Sequence, residues 1–591
     1  MTPSSIARLD FTHEAVSQWA PTHPRNTDWP IVYVLDDSKP GATGSRDRKL
    51  TDVYVGESRN AALRLRQHFD SPSKQHLKTI RVILDERFNK SACLDLESSL
   101  IRLLAGDGAY RVLNRNDGIT EGDYYDRELY RRTFRDVFEQ LRIDGVFTRS
   151  IPEIENSDLF KLSPFKALTP DQAIAVEDIF NGLFEDLKSD TDSTIVIQGE
   201  PGTGKTVVAI YMLKLLVDIA GTARAEGFDS DTMFADFFVP ENRVLLAGLR
   251  IGLVVPQQSL RESIKKVFRK TPGLNPSMVM TAFDIGNSDE NFDLLIVDES
   301  HRLNQRANQP SGVQNKNFSD IIKKLFGADD TSKTQLDWIH TKSTHQIYLL
   351  DAEQSVRPAD IPFEVLRGLA EDARSRHRHY PLATQMRVQA GSNYVAYVRN
   401  MLGSSEDLKP MLSTETLEGY DFRMFDSVAD MRSEVLRREE ETGLSRLLAG
   451  FAWPWNSKFD KTAFDIEVEG QRFRWNSTQK DWIASANSIN EVGSIHTVQG
   501  YDLNYAGVII GPDLRYDAIE GRLYVDRDSY FDKKGKENNA VLGKTYTDGD
   551  LLRFVRNIYA VLLTRGIRGT FVYVCDPALR EYLRGFIPSA N

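Results

Sequence analysis

Residues 195–206 read Ile-Val-Ile-Gln-Gly-Glu-Pro-Gly-Thr-Gly-Lys-Thr, and they join an apolar run of strand character to the helical pattern Val-Val-Ala-Ile-Tyr-Met-Leu-Lys-Leu-Leu of 207–216. Only a tight turn fits between the two. Gly199, Gly202 and Gly204 can take backbone angles closed to other residues, so the turn can wrap an anion with its N–H groups pointing inward, while the following helix adds its positive end. At this spacing Lys205 reaches the β- and γ-phosphates of a nucleotide and Thr206 ligates Mg²⁺. ATP and Mg²⁺ are therefore the expected cofactors. Strands alternating with helices imply an α/β fold with a parallel sheet, whose ligand site lies at the carboxyl ends of its strands.

A chain of 591 residues exceeds what one hydrophobic core supports, so three or four domains are expected. Cys93 and Cys575 are too few and too far apart for a disulfide scaffold or a cysteine-based zinc site, which fits a reducing cytoplasmic setting. No apolar run reaches membrane-spanning length, and the first residues lack the pattern of a secretion signal. The net charge of −11 argues against indiscriminate nucleic-acid binding. The stretch from Lys39 to Lys90 departs from this balance, with twelve Lys/Arg against six Asp/Glu.

The chain opens with residues 1–27, which show no clear period and read as a lead-in. Strand patterns follow at Ile31–Leu35, Asp52–Gly56 and Thr79–Leu84, with helical patterns at Asn60–Phe69 and about Ala92–Leu104. Tyr33 and Tyr54 sit in the first two strands. Arg64 and His68 are one turn apart on one helix face, Glu97 lies on the next helix, and Asn114 comes near the segment's end. In this order and spacing, residues 28–122 resemble the GIY-YIG nucleases, a small α+β domain. The resemblance implies that Tyr33 and Tyr54 line a site, Arg64 holds the scissile phosphate, His68 assists proton transfer and Glu97 holds a Mg²⁺. Such a set suits phosphodiester hydrolysis, which needs a cation on the phosphate, a metal and a base.

Residues 123–162 read as a helical connector. Gln172, some thirty residues before the phosphate loop, offers both donor and acceptor to an adenine edge. After the loop, Phe292–His301 is an apolar run ending in Asp298, a Mg²⁺ holder, and Glu299, which polarises the attacking water. A further apolar run ends at Asp351 and Gln354, placed to sense the γ-phosphate. Arg387, the stretch Ser494–Gly500, and Arg565 complete the series. In this order the motifs resemble superfamily 1 helicases, closest to the group allied to the schlafen helicase domains. The resemblance implies two RecA-like, doubly wound parallel-sheet lobes, residues 163–380 and 381–591. It also implies that Arg387 and Arg565 reach the γ-phosphate from the second lobe, and that His496 to Gly500 couples nucleotide to nucleic acid.

Four stretches fit no motif and read as insertions: Thr222–Asn242, His301–Thr341, Gly403–Asn487 and Tyr516–Asp550. Trp453, Trp455 and Trp475 in the third are expected to pack in a core rather than stack on bases. The whole reads as an ATP-driven motor on nucleic acid, DNA in preference to RNA, joined to a metal-dependent endonuclease. Such fusions point by genre to bacterial anti-phage defence or DNA repair. A homo-oligomer or a defence-system partner protein stays open. The rival reading is a regulatory NTP switch whose nuclease-like domain only binds nucleic acid.

Overall fold

In the computed structural model, which describes residues 4–37, 50–114, 124–221, 234–306, 309, 311–351, 357–385, 392–403, 419–478, 482–498 and 501–590, the N-terminal strands form one mixed sheet. Its strands are β1 (Ser5–Asp10), β2 (Ile31–Asp36), β3 (Thr51–Ser58), β4 (Thr79–Leu84) and β5 (Tyr110–Val112), in the order β1-β4-β2-β3-β5. All pairs are antiparallel except β3 with β5. Alternation along β2 sends Tyr33 and Leu35 to one face, with Ala61 and Leu65 of the helix Ala61–Phe69. Val32 and Val34 go to the other face, packed on the helix Lys90–Asp107. Asn60 caps the first of these helices by accepting from the Leu63 amide.

Two expectations change here. Residues 5–10, read as part of a lead-in, are a full edge strand of this sheet, in register with β4 from Ser5↔Leu84 to Asp10↔Thr79. Their hydropathy alternates only weakly because the strand is half exposed on both faces. The connector is helical as expected, but it is no free-standing linker. Tyr130, Phe134, Val137, Phe138 and Leu141 of the helix Arg127–Ile143 recur at three- and four-residue spacing and are buried in the same core as Val32 and Val34.

The next sheet is parallel throughout. It comprises β6 (Ser193–Gly199), β7 (Ile251–Val254), β8 (Val279–Met280), β9 (Phe292–Val297), β10 (Ser343–Leu350) and β11 (His379–Leu382), in the order β11-β6-β10-β9-β7-β8. The ends of β6, β10 and β9 therefore lie side by side, and the phosphate loop, Asp351 and Asp298 follow them directly.

The third sheet contains β12 (Asp421–Met424), β13 (Ser445–Ala449), β14 (Ile466–Val468), β15 (Gln471–Trp475), β16 (Glu491–Ser494) and β17 (Leu503–Ile510). A small hairpin of β18 (Leu514–Asp517) and β19 (Arg522–Val525) precedes its last strand, β20 (Gly566–Val574). The order is β12-β20-β17-β13-β16-β15-β14, parallel except for the β14-β15 edge. Residues 403–487 are thus no insertion: β13 pairs with both β16 and β17 near the middle of the sheet. Trp475 is buried in this core, with Trp453 and Trp455 packed against it, so all three tryptophans pack. Within 301–341, Ile339 joins the core of the second sheet, while Phe318 and Trp338 build a small cluster of their own.

The chain divides into two compact units. One takes Met1–Phe184, Ile210–Gly248 and Ser263–Ser277; the other takes Glu185–Ala209, Leu249–Glu262 and Met278–Asn591. The mixed sheet belongs to the first, and both parallel sheets belong to the second. Among the described residues no helix is long and apolar enough to cross a membrane.

Candidate functional site

In the loop after β6, Gly202 and Gly204 hold φ values of 91° and 78°, a region that side-chain-bearing residues rarely adopt. The turn brings Lys205 back over the loop, where its Nζ donates to the carbonyls of Gly199 at 2.6 Å and Glu200 at 2.8 Å. Gln385, just past β11, donates its Nε2 to the Pro201 carbonyl at 2.7 Å and steadies the loop from the far side.

One residue into the helix Lys205–Gly221, the Thr206 hydroxyl donates to Asp298 Oδ2 at 2.7 Å. Asp298 is fully buried, and its other oxygen, Oδ1, accepts no hydrogen bond. Burial and the neighbouring Glu299 charge push its pKa up, against Thr206 and Lys205. A buried carboxylate oxygen without a donor is a costly arrangement that a cation relieves. A hydroxyl beside a carboxylate is a hard-oxygen pair that suits Mg²⁺.

Glu299 sits in the left-handed region, with φ 49° and ψ 45°, an uncommon conformation for a glutamate. Burial alone would raise its pKa, but His301 outweighs this, helped by Lys205 and Arg565, and the carboxylate is held ionised. His301 Nε2 stands 3.0 Å from Glu299 Oε2, off the line of an ideal hydrogen bond. Its Nδ1 accepts from the Asp351 amide at 3.4 Å. Arg565, almost wholly buried, donates to the carbonyls of Val561 at 3.0 Å and Tyr501 at 3.4 Å.

The structure thus gathers Lys205, Thr206, Asp298, Glu299, Asp351 and Arg565 in one unit. Gln172 lies in the other unit, fully buried, its Oε1 accepting from the Thr169 amide at 3.0 Å. Gln354, Arg387 and Gly500 lie outside the described residues. Sequence reading does not single out His301 or Gln385, although His301 closes the run Phe292–His301 and Gln385 stands two residues before Arg387.

Residues 192–576, about two thirds of the chain, match the family described as Schlafen group 3, DNA/RNA helicase domain. The chain belongs to this family. An uncharacterized protein of Saccharomyces cerevisiae is 25% identical in a 419-position alignment that covers 66% of this chain and 83% of the yeast protein. Among solved structures, the arterivirus nonstructural protein 10 helicase in complex with DNA superposes with a TM-score of 0.27 at 13% identity, over 68% of this chain. The chain spans 65% of that protein's length, just under two thirds. Pif1 helicase from Bacteroides, in complex with ADP-AlF3 and single-stranded DNA, gives 0.24 at 12% identity, over 67% of this chain and 91% of its own. These superpositions are too loose to transfer residue roles. The family match begins at residue 192, and the mixed sheet of the Schlafen group 3 chain precedes it.

On that sheet, register places Tyr33 opposite Gly56, where a Cβ would collide with the tyrosine hydroxyl. The Tyr33 hydroxyl lies 2.6 Å from His68 Nε2 and is also hydrogen-bonded by Arg64. Lys74, unmarked by any sequence motif, reaches His68 Nδ1 at 3.1 Å and lies 3.6 Å over the Tyr54 ring. An ammonium only donates, so Nδ1 accepts and the neutral imidazole carries its proton on Nε2, facing Tyr33. Glu97 is half-buried and near enough for its charge to oppose ionisation of Tyr33. Asn114 grips β3 at both backbone atoms of Val55, at 3.0 and 2.8 Å. Among the described residues no group of three or more His, Cys, Asp or Glu is arranged to hold a metal. Among the described residues, Glu97 is the carboxylate whose charge bears on Tyr33, and one carboxylate is a sparse ligand set, so no step is routed through a metal there.

Burial, with Lys74 and Arg64 adding to it, lowers the His68 pKa to about 3. An unfolded histidine titrates near about 6.5, so unfolding takes up a proton between the two values, and stability falls as pH drops through that window. Urea unfolding between pH 7.5 and 4 is expected to show a steeper loss for the parent than for His68→Asn. Parallel slopes would show that His68 is charged in the folded chain.

Proposed function

We propose that this chain is an ATP-dependent nucleic-acid translocase or helicase carrying an N-terminal metal-dependent endonuclease of the GIY-YIG type. One observation carries the motor reading: Asp298 Oδ1 and Glu299 Oε2 are buried without hydrogen-bond donors beside Lys205 and Thr206. These groups fit a cation and a triphosphate. Thr206 and Asp298 would hold Mg²⁺, which neutralises phosphate charge when bound. Lys205, now resting on two loop carbonyls, exchanges them for β- and γ-phosphate oxygens. Glu299, kept ionised by His301, orients the attacking water and accepts its proton. Arg565 meets the charge that develops on the γ-phosphate.

The nuclease reading rests on the Tyr33, Arg64, His68 and Lys74 cluster. Arg64 and Lys74 supply cations for a phosphate, and His68 and Tyr33 form a proton-handling pair. DNA is the favoured strand, and a setting in anti-phage defence or repair rests on the architecture alone. ATP turnover with and without matched single- and double-stranded DNA and RNA is the test. A motor's turnover rises severalfold or more with single strands. Turnover indifferent to every nucleic acid would leave the regulatory switch as the better reading.

A further inference from the structure

The helix Ser392–Met401 and the helix Asp548–Leu563 lie beside each other over the third sheet. Tyr394 donates to the Leu563 carbonyl at 2.9 Å, and Tyr397 donates to the Phe586 carbonyl at 2.7 Å. The second helix runs directly into Arg565. The first carries Arg399, which lines a cleft with Pro201 of the phosphate loop and with Asn557 and Thr564. Any shift of this helix pair that moves Arg565 therefore moves Arg399 as well.

Arg399 Nη2 lies 3.5 Å from Asp351 Oδ1, at the end of β10. The Asp351 side chain is only 5% exposed, so this cation faces a buried carboxylate. The backbone of the same aspartate donates to His301 Nδ1. An amide N–H can only donate, so Nδ1 accepts here and Nε2 is the ring nitrogen left facing Glu299, 3.0 Å away. Arg399, Asp351, His301 and Glu299 thus stand as successive polar neighbours, through an ion pair, a long hydrogen bond and a 3.0 Å contact off hydrogen-bond geometry, between a helix of the third sheet and the carboxylate that handles the attacking water.

We propose that Arg399 is a positioning residue: through Asp351 and His301 it sets the orientation of Glu299 according to where the helix pair of the third sheet stands. This rests on the motor reading and adds to it the route by which strand engagement reaches hydrolysis. At 22% side-chain exposure and 3.5 Å, the Arg399 guanidinium stands partly in solvent and at the long end of ion-pair distance. His301 and Glu299 behind it are fixed by burial.

The test measures ATP turnover with and without oligo(dT) or oligo(U) for the parent, Arg399→Gln, Asp351→Asn, the double variant and Arg399→Lys. Each single neutral variant is expected to lower the strand-stimulated kcat about tenfold, within the usual range of coupling between sites, while KM for ATP moves less than about threefold. The double variant should be no worse than either single, because one link is broken in each, and Arg399→Lys should recover most of the rate. Thermal melting checks that every variant is folded, and the lysine variant carries the test if a neutral one is not. A folded Arg399→Gln stimulated as strongly as the parent overturns the inference, as does a double variant whose loss is the product of the singles. A parent that neither oligo(dT) nor oligo(U) stimulates overturns the motor reading instead, and this inference with it.

Discussion

Arg565→Ala will lower ATP turnover by about 10³-fold or more while nucleotide affinity stays within a few-fold, the range expected when a cation that meets the transferring phosphoryl group is removed. In the proposed motor the ground-state triphosphate would be held by Lys205 and the loop amides, which the substitution leaves in place. What is lost is a charge presented from the helix end after Leu563. That charge already reaches Glu299, whose carboxyl it helps to hold below the usual carboxylate range. Arg565→Lys separates charge from shape: it keeps a cation but loses the fork that bridges the Val561 and Tyr501 carbonyls. The lysine variant should therefore recover only part of the rate. Single-turnover kinetics beside equilibrium binding of a fluorescent ATP analogue make the measurement. Turnover unchanged in Arg565→Ala would remove this residue from the chemistry.

How much of this site was legible beforehand depends on how local its grammar is. Lys205 and Thr206 declare themselves because they close the glycine-rich turn that follows β6, and Asp298 and Glu299 because they stand one and two residues past β9; a parallel sheet brings such strand ends together whatever the intervening chain does. The supporting residues are not local in this sense. His301 acts through a backbone amide fifty positions away, Gln385 through the Pro201 carbonyl, and Arg399 through an ion pair across two sheets. Lys74 belongs to a loop after its helix, where nothing but the local excess of basic residues drew notice. Asn114 looked like part of a motif and is a clamp on β3.

For the fold, long apolar runs such as Phe292–Val297 and Leu503–Ile510 were readable, and short charged ones were not. β12 is only Asp-Phe-Arg-Met, and β13 is Ser-Arg-Leu-Leu-Ala, separated by a helix with little apolar content. These elements cohere through charge pairing that no hydropathy pattern reveals. Arg423 bonds Asp421 at 2.6 Å and Glu434 at 2.7 Å, and Arg438 bonds Asp421 at 2.8 Å and Glu434 at 3.1 Å. Arg446, buried on β13, is satisfied by Glu439 and Ser488. A buried arginine so paired reads as surface in the sequence, and the whole stretch therefore reads as an insertion. The edge strand β1 escaped for a related reason: its far side is unpaired, and its pattern is that of neither a core nor a clean amphipath.

Lys205→Ala should abolish ATP turnover and yet spare part of the cutting. Among the described residues, the Lys205 ammonium is the side-chain cation seated on the phosphate loop's own carbonyls, so its removal leaves the triphosphate without that counter-charge while the loop glycines keep their shape. The proposed cleavage cluster of Tyr33, Arg64, His68 and Glu97 stands on a separate sheet with its own core, built from Ala61, Leu65, Ile80 and Val82, and none of its groups needs ATP. Basal nicking of short, exposed strands is expected to persist in Lys205→Ala. Cleavage of long duplexes should fall to background, because a strand must first be presented there. Glu97→Ala is the mirror experiment, in which cutting is lost on both substrates and ATP turnover is retained. Both variants are compared on both substrates with and without ATP. If Lys205→Ala cuts long duplex as fast as the parent does with ATP, the motor does not serve the nuclease. If Glu97→Ala cuts at the parent's rate in Mg²⁺, the cleavage site lies elsewhere in the chain.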